Sequence, residues 1–380
     1  IINDDFCIYM PFAGAINPIT KSLGINEPYQ TAWRDTYRFW SVMDENSFNG
    51  NINKSFGNIK VGGGYLKKIR GFNARIFRYL STDMLDEITN NTDRYTADFD
   101  LGSGYVMWDK EFGLWKLNTG VRTEYNLFDV STADFSGSKV KVNREYLDVL
   151  PSLNLSYNLE KTKYRFSLSK TLARPEFREV ANFAYYDFVR NAQILGNSKL
   201  EKSDIYNVDL KWELYPKAGE NISVSVFGKQ FIRPIEQIVA DGSVPSNLLL
   251  TYTNPDNAIL YGVELEFRKK VMSWLDVYTN VSVMNSEVEV NGIKRQLQGQ
   301  SNYVLYGGVN IHKNKNTFNI TYNRVGDRIS AVGFQGYPDI FENSRDVLDI
   351  TLLHKLKKGE IKLAVGDVFG QSSIYYQKLQ

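Results

Sequence analysis

The residues best suited to bind a ligand lie in the longest polar excursion of the chain, residues 171–202. Aromatic side chains on an external loop can stack on sugar rings or on aromatic iron chelators, and arginines can hold anionic groups. Such a long excursion indicates a purpose, because compact proteins keep most connections short. The alternative is that these aromatic residues pack on one another or anchor the chain beside a bilayer. The candidate ligand-binding residues are Arg174, Arg178, Phe183, Tyr185, Tyr186, Phe188 and Arg190.

Residues that could carry catalysis are scarce. The two histidines, His312 and His354, fall in predicted short turns, and no second metal ligand stands at a useful spacing. The glycine run "VGGGY" at 61–65 lacks the strand, loop and helix context of a phosphate cradle, so strand glycines that admit a close neighbour explain it better. The serines have no histidine in range and suggest no catalytic triad. We therefore predict that the chain is not an enzyme and needs no metal or cofactor.

Composition excludes two further classes of function. Lys and Arg total 45 against 43 Asp and Glu, and the charges are interspersed, so no basic face predicts a nucleic-acid partner. No stretch approaches the roughly 18 apolar residues that a helical membrane span requires. The single cysteine, Cys7, cannot form an internal disulfide.

Strict alternation of apolar and polar residues recurs from about residue 58 to 366, whereas helical periodicity is nearly absent. In one such run the apolar residues Val208, Leu210, Trp212 and Leu214 alternate with the charged residues Asp209, Lys211 and Glu213. Similar runs along the chain predict an all-β protein with about thirteen or fourteen strands.

Short and long connections alternate between these strands. The predicted short polar turns lie at 108–113, 158–163, 215–220, 269–274, 312–317 and 354–360. The long excursions lie near 82–92, 131–139, 171–202, 236–254, 293–299 and 332–344. In an up-and-down antiparallel sheet every second connection lies at the same end, so this alternation is typical of a transmembrane β-barrel with tight turns at one end.

Energetics then assigns the two faces of each strand. An outward Arg or Lys at the bilayer midplane costs about 2–4 kcal/mol, so the charged rows must line the lumen, where most of them would pair with one another. Because backbone groups in hydrocarbon have no water to bind, the sheet must close on itself. The predicted lumen-facing residues are Arg122, Glu124, Asp209, Lys211, Glu213, Glu264, Glu266 and Arg268. Aromatic residues beside the short turns, such as Trp108, Trp115, Tyr215 and Trp274, fit a membrane-interface girdle.

Several segments resemble the TonB-dependent outer-membrane receptors, especially the large transporters of Bacteroidetes-type bacteria. "SLSKTLARPEFREV" (167–180) is similar to a strand end of that family and the loop entry that follows it. "GNSKLEKSDIYNVDLKWELYP" (196–216) resembles its Gly-Asn-x-x-Leu element and the next strand. The strand "NPDNAILYGVELEFRK" (254–269) and the segments "RQLQGQSNYVLYGGVN" and "YNRVGDRISAVG" are also similar to it. Their order and spacing cover about 200 residues, with a looser likeness over 48–167.

The resemblance implies part of the wall of a plugged barrel of about 22 strands. We expect residues 48–380 to form barrel wall, residues 1–47 to precede or join it without an assigned structure, and the plug domain and the final strand to be missing. The implied function is energised import of a bulky, scarce nutrient, such as an iron-siderophore, an oligosaccharide or a peptide. The implied location is the outer membrane of a Gram-negative bacterium. The implied partners are the lipid bilayer, the TonB complex through the absent plug, the nutrient and a surface lipoprotein.

Two other classes of function stay open from the sequence. One is a passive pore or a structural barrel subunit of a larger outer-membrane complex. The other is a soluble all-β carbohydrate-binding protein, in which residues such as Leu210 and Trp212 would pack against a second sheet while Asp209 and Lys211 met solvent.

Overall fold

The computed structural model describes residues 6–11, 36–81, 84–87, 94–133, 137–182, 184–187, 192–243, 248–290, 292–334 and 336–378. Strands account for most of these residues, as the alternating sequence predicts. One helical turn, α1 (Phe177–Val180), is present in this part of the chain. The strands are β1 (Phe6–Pro11), β2 (Thr36–Phe56), β3 (Ile59–Ser81), β4 (Met84–Glu87), β5 (Arg94–Phe112), β6 (Trp115–Ala133), β7 (Lys139–Asn158), β8 (Thr162–Ala173), β9 (Ala184–Asp187), β10 (Ala192–Leu195), β11 (Ser203–Leu214), β12 (Asn221–Ile232), β13 (Glu236–Val239), β14 (Leu248–Thr253), β15 (Asn257–Met272), β16 (Leu275–Val290), β17 (Ile293–Arg295), β18 (Tyr303–Lys313), β19 (Asn316–Val325), β20 (Arg328–Ala331), β21 (Ile340–Glu342), β22 (Arg345–Leu356), β23 (Gly359–Val365) and β24 (Tyr375–Gln377).

The wall is one row of antiparallel strands. Its order is β1–β2–β3–β5–β6–β7–β8–β11–β12–β15–β16–β18–β19–β22–β23. Each wall strand pairs with the next wall strand along the chain, which is the up-and-down order that the sequence predicts. The short strand β1 adds to the thirteen or fourteen strands expected from the alternation.

The wall begins before residue 48. Strand β2 starts at Thr36, and β1 pairs with the first part of β2, so residues 6–11 and 36–47 join the sheet. The physical reason is β3, whose 23 residues offer a hydrogen-bonding partner along the whole of β2. The rest of the segment 1–47 lies outside the described residues.

The connections alternate as predicted. Tight turns at 57–58, 113–114, 159–161, 273–274, 314–315 and 357–358, together with the segment 215–220, lie at one end of the wall. The turn at 57–58 is an addition to the predicted set, and Gly57 supplies the positive φ of 58° that it requires. The long connections lie at the other end and contain the short strands β9, β10, β13, β14, β17, β20 and β21.

The two faces of the wall differ in the direction that a membrane protein requires. The large apolar residues are the exposed ones: Leu147 is 72% exposed and Leu210 55%, whereas Asp148 is 2% and Glu213 4% exposed. Val226, Tyr261 and Leu265 are exposed on the same face as Leu210. We call this side the apolar face and the side that carries Glu124, Asp148 and Asp209 the polar face. The arrangement of a soluble sheet, with Leu210 packed inward and Asp209 in open solvent, is wrong for this chain.

Aromatic residues mark the short-turn end of the apolar face. Trp108 and Trp115 are exposed on that face beside the turn at 113–114, and Trp274 is exposed within the turn at 273–274, whereas Tyr215 donates to the polar-face residue Glu213 at 3.0 Å. Their rings combine an apolar body with a polar N–H or O–H, which suits the boundary between hydrocarbon and water.

The glycine run at 62–64 has a packing role on the polar face. A Cβ at Gly62 would lie 2.5 Å from the Tyr105 ring, so the missing side chain lets that ring lie against the strand. Gly62 pairs directly with Tyr105 across β3 and β5. The prediction that these glycines admit a close neighbour is confirmed. Among the described residues, no helix is long and apolar enough to cross a membrane.

Candidate functional site at the long-loop end

The connection between β8 and β11, residues 174–202, is fixed to the polar face at both of its ends. Arg174, directly after β8, donates from Nη2 to Oδ2 of Asp148 at 2.7 Å. Lys202, directly before β11, contacts the other oxygen of the same carboxylate. The Asp148 side chain is 1% exposed, so its charge is compensated by two cations rather than by water. We call residues 174–202 the anchored loop.

The anchoring residues belong to a larger charge network on β6, β7 and β11. Nη1 of Arg174 donates to Oε2 of Glu124 at 2.9 Å, and Arg122 donates to the other oxygen of Glu124 at 2.7 Å. Lys202 also lies 3.1 Å from Oδ1 of Asp204. Each carboxylate therefore has a charge-assisted hydrogen bond to the loop or to its own strand.

The anchored loop packs against the polar-face side of the wall, where that face becomes apolar near the long loops. Phe177, Val180 and Leu200 are buried in one cluster with wall residues that include Phe72 and Phe128. The ring centroids of Phe177 and Phe128 lie 5.3 Å apart. The loop thus buries its own aromatic residue against β3, β5 and β6 instead of presenting it to solvent.

Two arginines cover this aromatic cluster. The guanidinium of Arg70 lies 5.1 Å from the ring centroid of Phe177. The guanidinium of Arg178 lies 4.5 Å from the Tyr185 ring and 5.8 Å from the Phe72 ring. Cations over aromatic faces are attracted by the ring quadrupole, so these contacts stabilise the loop on the wall.

The Gly-Asn-x-x-Leu element, residues 196–200, holds the loop in this position. A Cβ at Gly196 would lie 1.9 Å from the carbonyl oxygen of Ala181, so no other residue fits without displacement. The Asn197 side chain donates to the Tyr252 carbonyl at 2.8 Å and accepts from the Lys199 amide at 2.9 Å. The motif is therefore a packing device that joins the anchored loop to the next long connection.

The second long connection, between β12 and β15, shares a sheet with the first. β9 pairs antiparallel with β10, β10 pairs parallel with β14, and β14 pairs antiparallel with β13. Asn254 adds side-chain hydrogen bonds to the Glu201 carbonyl at 3.1 Å and to the Arg233 carbonyl at 3.0 Å. The two connections form one layer rather than two independent loops.

A second buried ion pair joins the next loops to this layer. Glu236 is 1% exposed, and both of its oxygens accept hydrogen bonds from Arg295, at 2.9 and 2.7 Å. The Gln298 amide donates to the same carboxylate at 2.8 Å, and its side chain donates to the Ser330 carbonyl at 2.7 Å. The segment 295–300 therefore connects the loops after β12, β16 and β19.

The acidic group of α1 has a shifted titration. Burial raises the pKa of Glu179 above its ordinary value, and the negative charge of Glu176 adds to that effect, while the hydrogen bond from the Glu176 amide opposes it. That amide donates to Oε2 of Glu179 at 2.8 Å.

The predicted ligand-binding residues have different positions. Arg174 is committed to Asp148 and Glu124, while Arg178 and Tyr185 lie together over the aromatic cluster. Phe183, Phe188, Arg190 and the side chain of Tyr186 lie outside the described residues. Contact of any of these residues with a ligand stays a prediction.

The eight residues predicted to line the lumen all lie on the polar face, as the strand register shows. Several of them find partners there. Oε2 of Glu213 lies 2.8 Å from Nε of Arg165 in a salt bridge, Glu264 accepts a hydrogen bond from Asn280 at 2.7 Å, and Glu266 accepts one from Ser223 at 3.3 Å. Lys211 lies 3.8 Å from Glu266, and Arg268 lies 5.9 Å from the Tyr278 ring centroid.

Sequence reasoning missed the residues that fix the loops. Asp148 alternates with Leu147 and Val149 in β7 and lies opposite Glu124. The alternation of apolar and polar residues therefore contained a signal that would have placed Asp148 on the polar face. Glu236 and Arg295 had no such signal, since both lie in the long connections.

The two histidines lie at strand ends by the short turns, where His312 is 3.2 Å from Asp276 and His354 is 2.7 Å from Asn316. No cluster of three or more His, Cys, Asp or Glu is placed to hold a metal ion in the part of the chain that the structure describes.

A meander of strands with an exposed apolar face, aromatic residues at its short-turn end and charges on the other face is the wall of an outer-membrane-type barrel. Residues 31–379 match the outer membrane protein beta-barrel family, so the chain belongs to that family. It is a transmembrane, up-and-down antiparallel β-barrel protein of the outer membrane of a Gram-negative bacterium.

Solved structures agree on the fold. The chain is similar to the copper transporter OprC, with 12% identity, a TM-score of 0.64 and coverage of 88% of this chain and 52% of that one. It is similar to the ferric citrate transporter FecA, at 13% identity, a TM-score of 0.59 and coverage of 90% and 53%. It is also similar to the ferric yersiniabactin uptake receptor FyuA of Yersinia pestis, with 14% identity, a TM-score of 0.57 and coverage of 88% of this chain and 50% of that one.

The chain therefore spans about half the length of these three solved structures. No curated protein matches it. The resemblance to TonB-dependent receptors is confirmed for the fold, and the Bacteroidetes-type affiliation stays a prediction.

Proposed function

We propose that the chain is barrel wall of a TonB-dependent transporter that imports a bulky, scarce nutrient with energy from the inner membrane. The nutrient would be an iron-siderophore, an oligosaccharide or a peptide, and the chain itself would catalyse no reaction. The observation that carries the proposal is the anchored loop. It packs onto the polar face through Asp148 and the Phe177 cluster, so the loop end of the lumen is lined by ordered side chains.

This arrangement suits selective capture better than free diffusion. Four long connections are joined by the shared sheet, by Glu236 with Arg295, and by the hydrogen bonds between Val332 and residues 237 and 239. A ligand that arrives from outside meets one continuous surface with Arg178 and Tyr185 in contact on it. The similar solved structures that are named as a copper transporter, a ferric citrate transporter and a ferric yersiniabactin uptake receptor support import as the class of function.

The energy coupling and the partners are part of the same proposal. In the resembling family a plug domain blocks the lumen and contacts TonB, and the polar face, with its charge pairs, is the surface that such a plug would contact. A surface lipoprotein over the loop layer is a further proposed partner. The alternative, a passive pore or structural subunit, predicts an open lumen instead.

The full-length protein in its native membrane separates these alternatives. Purified full-length protein in planar bilayers should show no steady conductance, while a strain that carries it should lose uptake of labelled ferric siderophores or oligosaccharides when a protonophore collapses the proton gradient. Steady conductance in bilayers, with uptake that survives the protonophore, would establish the passive pore.

A further inference from the structure

Charge is distributed unevenly between the two ends of the wall. In the short turns and the strand ends that flank them, basic residues outnumber acidic ones more than twofold. The basic residues there are Lys54, Lys60, Lys110, Lys116, Lys161, Lys163, Arg165, Lys211, Lys217, Lys269, Lys270, Lys313, Lys315, Lys355, Lys357, Lys358 and Lys362. The acidic residues there are Asp109, Glu111, Glu160, Glu213, Glu220, Asp276 and Glu360. The net charge of the whole chain is only +2, so the remainder has an excess of acidic residues. We call the basic end the turn rim.

Most cations of the turn rim are free of protein partners. Within the described ranges, Lys110, Lys161, Lys269, Lys313 and Lys357 are exposed and form no salt bridge. The cations that anchor the loop end differ from these lysines, since Arg174, Lys202 and Arg295 are largely buried against carboxylates. The turn-rim lysines therefore contribute little to the stability of the wall and are available to an external anion.

The position of these lysines on the wall indicates which kind of anion they bind. Lys110 lies on the apolar face between Trp108 and Phe112, both of which are exposed. The ammonium of Lys54 lies 5.0 Å from the ring centroid of Phe56, which is exposed on the same face. Lys269 pairs in register with Val277 on the apolar face. Aromatic residues at this level mark the membrane interface, where the alkyl stem of a lysine lies along apolar surface while its charge reaches the headgroups.

We propose that the turn rim binds the anionic phosphate headgroups of phospholipids in the periplasmic leaflet of the outer membrane. Short turns lie on the periplasmic side in barrels of this kind. Every short turn of the wall contributes at least one lysine, which matches a ring of lipids around the barrel better than one docked protein. The lysines would draw anionic lipids into the annulus by electrostatic attraction over roughly a Debye length.

Lipid-specific quenching tests this proposal. Full-length protein is reconstituted into vesicles that mix phosphatidylcholine with brominated phosphatidylglycerol, or phosphatidylglycerol with brominated phosphatidylcholine. Bromine quenches the tryptophans at the rim, Trp108, Trp115 and Trp274. We expect a severalfold preference for phosphatidylglycerol that disappears at about 1 M salt, where the screening length falls to about 3 Å.

Two matched variants assign the preference to the rim. The combined substitutions Lys110→Gln, Lys269→Gln and Lys313→Gln should remove most of it. Lys139→Gln, Lys141→Gln and Lys199→Gln, on exposed lysines at the loop end, should leave it unchanged. Heat-modifiable migration of both variants on a gel confirms that the barrels have folded.

Two results would overturn the proposal. One is an equal affinity for the two lipids in the wild-type protein. The other is a turn-rim variant that keeps the lipid preference but no longer co-sediments with purified peptidoglycan. That result would show that the lysines bind the carboxylates of the cell wall instead.

Discussion

Asp148 and Arg174 form the ion pair that fixes the start of the anchored loop to the wall, with 2.7 Å between Oδ2 and Nη2. The same carboxylate contacts Lys202 at the other end of the loop. One buried side chain on β7 thus determines where a connection of nearly thirty residues enters and leaves the polar face. The consequences can be measured.

Asp148→Asn should release both ends of the anchored loop. Removing one partner of a buried ion pair costs about 3–5 kcal/mol, because the remaining charge stays buried without compensation. We expect faster amide hydrogen exchange in residues 177–182 and 192–200 and faster proteolysis within the loop, with the wall strands unchanged. Asp209→Asn is the control, because Asp209 lies on the polar face and forms no salt bridge among the described residues. Equal loop protection in both variants would refute the role of Asp148.

Gly196→Ala should displace the anchored loop without affecting the wall. Its Cβ would lie 1.9 Å from the Ala181 carbonyl oxygen, and overpacking of this kind costs about 1–3 kcal/mol. Hydrogen exchange should accelerate for the amides of Asn197 and Leu200, which donate to Glu179 and Asn197. Gly102→Ala is the matched control, since nothing lies within 4 Å of the added carbon. Similar exchange in the two variants would show that the loop is not closely packed.

The faces of β12 make a prediction about assembly. Val224 pairs with Trp212 and Leu265 on the apolar face, whereas Ser225 pairs with Lys211 and Glu264 on the polar face. Val224→Arg should impair folding into the outer membrane, because an arginine that faces lipid costs up to about 2–4 kcal/mol, a cost that rises with its depth in the bilayer. Ser225→Arg should be tolerated. The readout is heat-modifiable migration and the amount of protein in the outer-membrane fraction, and equal outcomes would contradict the assignment of the faces.

Glu179 gives the loop a pH dependence with a defined sign. Burial raises the pKa of Glu179 in the folded protein, so the docked loop favours the protonated acid. The corresponding stability is fully present below the ordinary value of 4.5 and is lost as the pH rises through the raised pKa. The amides of α1 should therefore become better protected from hydrogen exchange in the wild type as the pH falls. The same change should be smaller in Glu179→Gln, which lacks the titrating group. A constant difference across the pH range would argue against burial of the charge.

The sequence predicted the wall well because its signal is local. Alternation with period two places Asp209 and Leu210 on opposite faces whatever the rest of the chain does, and polar turns with glycine mark the tight connections. The loop layer has no such local signal. Asp148 lies 26 residues from Arg174 and 54 residues from Lys202, so their meeting depends on the tertiary positions of β7, β8 and β11.

The quoted motifs illustrate the same limit. Arg174, Phe177 and the element 196–200 were recognisable as similar to a family, but the sequence alone did not tell whether they serve ligand or packing. The structure assigns packing contacts to Phe177, Gly196 and Leu200. Arg178 and Tyr185 contact each other at the edge of this cluster, and their contact with a ligand stays a prediction.

The apolar face of the wall meets lipid and the polar face meets water, and spin labels on two adjacent residues measure this directly. In full-length protein with Cys7→Ser, labels are placed at Leu210→Cys and, separately, at Lys211→Cys, and relaxation by oxygen is compared with relaxation by a water-soluble nickel chelate. We predict that the label at residue 210 responds to oxygen and is shielded from nickel, while the label at 211 shows the reverse. Nickel access at 210 together with oxygen dominance at 211 would contradict the account.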